Sequence, residues 1–236
     1  MLLENIDVDK AIRFVNPDIW RAALDDLNHG EKAMTSALLD EPVVSLKQFD
    51  PEEIEPRRKQ WTRDECLQLM ELGILEEARF ELIHGDIIPK MMQHERHIFT
   101  CKQVQKALEA VFGEERVRVA APIAIGVHEE PEPDAAVVIR TGREYLSFGT
   151  PPASEARLTV EVSDSTLRWD LTTKRGQYGS AGIPEYWVVD IPNRLLHIFR
   201  SPNETGYAEE TILSSDEEVR PLAAPDAAVR VADLLS

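Results

Sequence analysis

The chain has 236 residues, enough for one domain with an appendage or for two small ones, each around a buried core. Its apolar share of 43% is near the globular norm, and no apolar run approaches the roughly 20 residues of a membrane helix, which excludes a membrane-spanning helix. A net charge of −17 opposes any strong nonspecific grip on nucleic acid, because phosphate contacts require lysine and arginine.

Residues 1–57 read as an extension ahead of a domain at 58–236. Within it, "DIWRAALDDLNHG" sets Trp20, Ala23, Leu24 and Leu27 on one helical face, with Gly30 as the stop. A second helix fits "EKAMTSALL", and the three prolines of "EPVVSLKQFDPEEIEPRRKQ" mark a linker or strap. "WTRDECLQLMELG" then starts afresh, with a capping box from Thr62 to Glu65, a buried stripe of Cys66, Leu69, Met70 and Leu72, and Gly73 at the end. "ARFELIHGDIIPKM" is a hairpin turning at His84-Gly85. A helix over about 94–112 places Ile98, Cys101, Val104, Leu108 and Val111 on one side. Strands are expected at "VRVAAPIAIGV", "DAAVVIR" and "RLTVEV", and a helix from about Asp170 to Ala181. Strands at "YWVVDI" and "LLHIFR", short tail strands and the closing "VADLLS" complete the chain. Helices and strands mix without regular alternation, which makes the class α+β.

Several chemistries drop out at once. The sequence has no GxxxxGK[ST] phosphate loop, no GxGxxG after a strand and no GxSxG elbow. Its two cysteines, Cys66 and Cys101, have no paired spacing, which fits a reducing cytoplasm and excludes a disulfide scaffold or a cysteine zinc site. No signal-peptide pattern opens the chain, so export is not expected. "HERH" at 94–97 resembles a zinc-protease signature, but Ile98 stands where HExxH needs its second histidine. His94 and His97 then read either as a polar face near a helix start or as two ligands sharing a metal. The charge is uneven: residues 1–60 carry −5, 61–200 carry −6 and 201–236 carry −6. Any nucleic-acid site must therefore be a local groove in the mildly acidic middle.

The acidic residues carry the rest. Asp134 stands at the mouth of an apolar run after a Pro-rich turn, and Glu161 lies near the end of the next strand. Alone, Asp134 fits a turn residue, and Glu161, a carboxylate in an apolar strand, needs a partner or a metal. Carboxylates at the ends of neighbouring strands can share a hard cation, Mg²⁺ or Mn²⁺, with the Val162 carbonyl as a third ligand. Lys174 can orient an attacking water and stabilise charge on a phosphodiester, or it can be an exposed helix pair with Asp170.

With "RFELIHGDII", "EPDAAVV" and "LTVEVSDSTLRWDLTTKRGQYGSAGIPEYWVVD" in this order, the chain from about Trp61 onward resembles the Uma-two family of restriction-endonuclease-like proteins, in the PD-(D/E)xK superfamily. "LHIFRSP…GYAEE" and the terminal "VADLLS" extend the resemblance, and residues 1–57 fall outside it. The resemblance implies a restriction-endonuclease-like core, with a central mixed, twisted sheet flanked by helices. It implies a Mg²⁺- or Mn²⁺-dependent DNA endonuclease in which Asp134 and Glu161 hold metal, Glu81 assists with water or a second metal, and Lys174 positions the nucleophile. Tyr178 matches a family aromatic that supports the site, and Gly182, Pro184 and Trp187 match structural positions. Ser163 departs from the superfamily's simplest pattern, which has lysine two residues after the glutamate; in this family the helix supplies it. Two other classes remain: a noncatalytic module binding nucleic acid or protein, and hydrolysis of another phosphate ester. A homodimer is expected if both strands of a duplex are cut.

Overall fold

The computed structural model describes residues 58–75, 80–90 and 93–235. The helices expected in the extension, and most of the strap after them, lie outside the described residues. Among the described residues no helix is long and apolar enough to cross a membrane.

Helix α1 (Arg63–Glu71) opens with the expected reciprocal cap: Thr62 Oγ1 accepts from the Glu65 N–H, and the Glu65 carboxylate accepts from the Thr62 N–H at 2.9 Å. Cys66 is buried, but Met70 and Leu72 are exposed, so the buried stripe is narrower than its spacing suggested. Its anchoring bonds lie in the first turn, where the Arg63 N–H donates to Val127 O and the guanidinium pairs with Glu130.

Strands β1 (Phe80–Ile83) and β2 (Asp86–Pro89) form the expected antiparallel hairpin. His84 and Gly85 turn it with φ of 50° and 77°, the two left-handed residues of a primed turn whose twist matches the strands. Helix α2 (Glu95–Phe112) buries Val104 and Leu108, with Cys101 and Val111 packed partly beside them.

The central sheet comprises β3 (Val117–Val119), β4 (Ala135–Val138), β5 (Ala156–Ser163), β6 (Glu185–Asp190), β7 (Leu195–Asn203) and β8 (Gly206–Ser214), in that spatial order. The strand expected over 117–127 stops at Val119, because Ala120 turns with φ 44° and Pro122 follows without an N–H to donate. Helix α3 (Gly142–Phe148) joins β4 to β5. All neighbours in the sheet are antiparallel except β5 and β6. A parallel pair requires a crossover, and α4 (167–180) supplies it. The chain closes with the short strands β9 (Glu218–Val219) and β10 (Val229–Arg230) and helix α5 (Val231–Leu234). The α+β class holds, as a mixed sheet with helices against it.

Both faces of the sheet are buried. Leu158, Val160, Val162, Trp187 and Val189 pack with Val104 and Leu108 of α2. Ala156, Tyr186, Val188 and Phe199 pack with Tyr178 of α4. Helix α4 lies so close to the β7–β8 turn that a Cβ on Gly179 would stand 2.0 Å from the Gly206 carbonyl oxygen. Only glycine fits there.

Candidate active site

Successive strand residues face opposite sides of a sheet. Because Leu158, Val160 and Val162 of β5 face α2, Glu161 and Ser163 must face α4. That is why a carboxylate can sit inside an otherwise apolar strand. Next to it, β4 begins at Ala135 opposite Val160, which leaves Asp134 just beyond the ladder. Asp134 Oδ2 accepts from the Val162 N–H at 2.8 Å, and the Asp134 N–H donates to Glu161 Oε2 at 3.4 Å. A strand residue sends its N–H and C=O to the same edge, so the Val162 carbonyl faces the edge that holds Asp134.

Helix α4 brings the cation. Its middle, Asp170–Lys174, is a wide i→i+5 turn between the α-helical pieces Leu167–Trp169 and Arg175–Ser180. Both Asp170 and Lys174 are buried there. The reading of this pair as an exposed helix contact is thereby overturned. Lys174 Nζ donates to Glu81 Oε1 at 2.5 Å and lies 3.2 Å from Glu161 Oε1. One turn on, the Tyr178 hydroxyl donates to the same Glu161 oxygen at 2.8 Å.

Glu81 comes from the β1–β2 hairpin, which is stitched to the following loop by paired Leu82–Glu130 backbone bonds. The same carboxylate oxygen that holds Lys174 accepts from the Glu132 N–H at 2.7 Å. Asp170 accepts from Ser163 Oγ at 2.5 Å and from Thr166 Oγ1 at 2.6 Å. His97, on the first turn of α2, reaches Asp134 Oδ2 with Nε2 at 3.2 Å.

Glu81, Asp134, Glu161 and Lys174 thus come from β1, the edge of β4, β5 and α4, and they line one open cleft of about 900 Å³ with His97, Asp170 and Trp169. Three contacts were not evident in the sequence: His97 on Asp134, Asp170 on Ser163, and the Tyr178 hydroxyl on Glu161. One signal for the second was present, since Ser163, Thr166 and Asp170 stand at successive intervals of three and four.

The cleft is electrostatically unbalanced. Glu81, Asp134, Glu161 and Asp170 are buried carboxyls, and Lys174 is the buried ammonium between two of them. Burial pushes Glu161 up; Lys174 pulls it back, while Asp134, Asp170 and Glu81 push again, leaving it at about 8. Asp134 goes the other way: burial would raise it, but the His97 hydrogen bond and charge and the Val162 N–H hold it below the ordinary carboxylate value. Burial would lower Lys174, yet Glu161 and Glu81 outweigh that and hold it firmly charged. Burial likewise raises Asp170, against the two hydroxyls that donate to it. A divalent cation between Asp134 and Glu161 would relieve this crowding. The oxygens of Asp134, Glu161 and the Val162 carbonyl are a hard donor set that suits Mg²⁺ or Mn²⁺.

Known proteins agree with the fold. Residues 64–232 match the family model of Uma2, described as "putative restriction endonuclease". The structure is similar to a crystal structure of a "putative nuclease belonging to DUF820" from Anabaena variabilis, with a TM-score of 0.55 at 21% identity, covering 73% of this chain and 96% of that one. None of the curated proteins matches it.

Proposed function

The chain belongs to the Uma2 family, and from that premise we propose that it is a Mg²⁺- or Mn²⁺-dependent endonuclease that hydrolyses phosphodiester bonds in DNA. One observation carries the reading: Lys174 is held in a cleft between Glu81 and Glu161, beside Asp134, so that four separate elements each bring one residue to it. A solvated surface would not assemble that set.

In this reading Asp134, Glu161 and the Val162 carbonyl hold the metal. When bound, Mg²⁺ or Mn²⁺ supplies Lewis acidity toward a phosphate oxygen and lowers the pKa of an attached water. The protein does the rest by placement. The Tyr178 hydroxyl fixes the rotamer of Glu161, and the Val162 N–H fixes that of Asp134. Glu81, anchored by the Glu132 N–H, aims the Lys174 ammonium into the cleft. Lys174 then orients the attacking water and meets the negative charge that grows on the phosphoryl oxygens as the P–O bond to the leaving group breaks. Glu81, at the far side of Lys174, takes part in ordering that water.

The acidic balance and the two carboxylates closed on Lys174 also fit a noncatalytic module that keeps the cluster as a structural ion network. A cleavage assay separates the two. With Mg²⁺ or Mn²⁺, wild type is expected to nick supercoiled plasmid, EDTA to stop it, and Glu161→Ala to lower the rate by at least about 10²-fold. Equal rates for wild type and Glu161→Ala would refute the nuclease reading. A two-fold dimer would give duplex cutting its second site, and the same digests show it by linear product appearing without a nicked intermediate.

A further inference from the structure

His97 and Asp134 of the cleft form a second cluster with Cys101 beside them. An imidazole nitrogen, a thiol sulfur and a carboxylate oxygen there all lie within 4.8 Å of one another. The i, i+4 spacing on α2 puts His97 and Cys101 on one face, and β4 delivers Asp134 against it. Cys101 Sγ is 3.9 Å from His97 Nε2, and that nitrogen is 3.2 Å from Asp134 Oδ2. Ligands about 2.0–2.3 Å from a tetrahedral zinc ion stand about 3.3–3.8 Å from each other. Two separations are thus near edges of such a tetrahedron, and the sulfur and the carboxylate oxygen, within 4.8 Å, leave a third edge for side-chain rotation to close. His97 and Asp134 also line the cleft, so the fourth corner opens onto it.

The expectation that two unpaired cysteines exclude a cysteine zinc site is corrected here: one thiol joins an imidazole and a carboxylate from distant segments, a set that cysteine spacing does not show. The donors differ in kind from those of the neighbouring oxygen site. Mg²⁺ and Mn²⁺ take carboxylate and carbonyl oxygens, whereas thiolate with imidazole selects zinc. We propose that His97, Cys101 and Asp134 form a zinc site that draws on the same Asp134 carboxylate as the oxygen site, and that the two ions compete for it. On the nuclease reading, zinc is then an inhibitor that competes with Mg²⁺; the binding itself does not depend on that reading. Binding breaks the Cys101 S–H bond, forms the sulfur–zinc bond and releases the proton to solvent. His97 offers a neutral Nε2 in place of its bond to Asp134, and no electron changes hands. Every ligand is a side chain of this chain, and water completes the fourth position.

Cobalt(II) reports such a site directly, through a thiolate charge-transfer band in the near ultraviolet. The metal-free full chain titrated with Co²⁺ is expected to develop this band to one equivalent and to lose it when Zn²⁺ is added. Cys101→Ser and Cys101→Ala should abolish the band with melting temperatures showing folded protein, and His97→Gln should weaken Co²⁺ binding at least about tenfold. Cys66→Ser and Glu161→Gln should keep the band. In the plasmid assay, Cys101→Ser should need at least about tenfold more Zn²⁺ for the same inhibition of Mg²⁺-dependent cleavage. No band in wild type, an unchanged band in Cys101→Ser, or loss of the band in Glu161→Gln would each overturn the site. A band without any DNA cleavage keeps the zinc site and removes the nuclease reading; cleavage without a band does the reverse.

Discussion

Ser163 stands two residues after Glu161, where the simplest superfamily pattern carries its lysine. In this fold it holds Asp170 instead, and Asp170 belongs to the wide turn that ends at Lys174. In the proposed assignment the helix, not the strand, supplies the lysine, and Ser163 braces the segment that carries it. Protonation gives this crowded site a testable signature. Glu161 lies at about 8, and His97 and Asp170 are also raised above their ordinary values. A group whose folded pKa is raised binds its proton more tightly in the folded state, so stability falls as pH rises from the unfolded value through the folded one. All three act in the same direction, whereas the lowered Asp134 acts below this window. In EDTA, the melting temperature should therefore fall between about pH 5 and about pH 8, and Glu161→Gln should flatten the fall. A rising wild-type profile over that range would contradict the assignment. Of these residues, Glu161 was legible in the sequence because its neighbours are apolar. Glu81 was legible only through family resemblance, since its partner Lys174 lies 93 residues away. His97 was ambiguous for the same reason: its carboxylate is 37 residues distant.

At the level of elements, hydrophobic period and cap chemistry placed α1, the β1–β2 hairpin, α2 and β5 well. They failed where tertiary contact decides. The i→i+5 turn of α4 leaves no trace in a 3.6-residue pattern, although it is what buries both Asp170 and Lys174. Met70 and Leu72 have the right spacing for a core stripe, yet both stay exposed, and the bonds described for α1 to the rest of the domain lie in its first turn. Helix α4 owes its depth to one glycine. A Cβ on Gly179 would meet the Gly206 backbone at 2.0 Å, and backbone cannot move aside like a side chain. Gly179→Ala should destabilise the domain by about 3 kcal/mol in urea unfolding. It should also cost activity, because α4 would lift Lys174 and Tyr178 off Glu161. A change below about 0.5 kcal/mol would show that the close approach does not constrain the helix.

For the whole molecule, the order β3-β4-β5-β6-β7-β8 with a single parallel pair explains where the cleft forms. Strand β4 begins beside Glu161 and the crossover helix passes over the same spot, so three elements converge at one end of the central strands. We propose that residues 1–57 are an extension separate from the domain at 58–236. A chain that starts at Arg58 should then still melt in one cooperative transition; loss of that transition would rule the separation out.

The proposed nuclease function turns on Lys174, which a helix supplies beside the strand that carries Glu161. Its most direct test is the Mn²⁺-dependent nicking rate of Lys174→Met beside wild type, with circular dichroism and Mn²⁺ binding measured on the same preparations. A folded variant that still binds Mn²⁺ and nicks at least about 10²-fold more slowly is the predicted result. Nicking at the wild-type rate would contradict it.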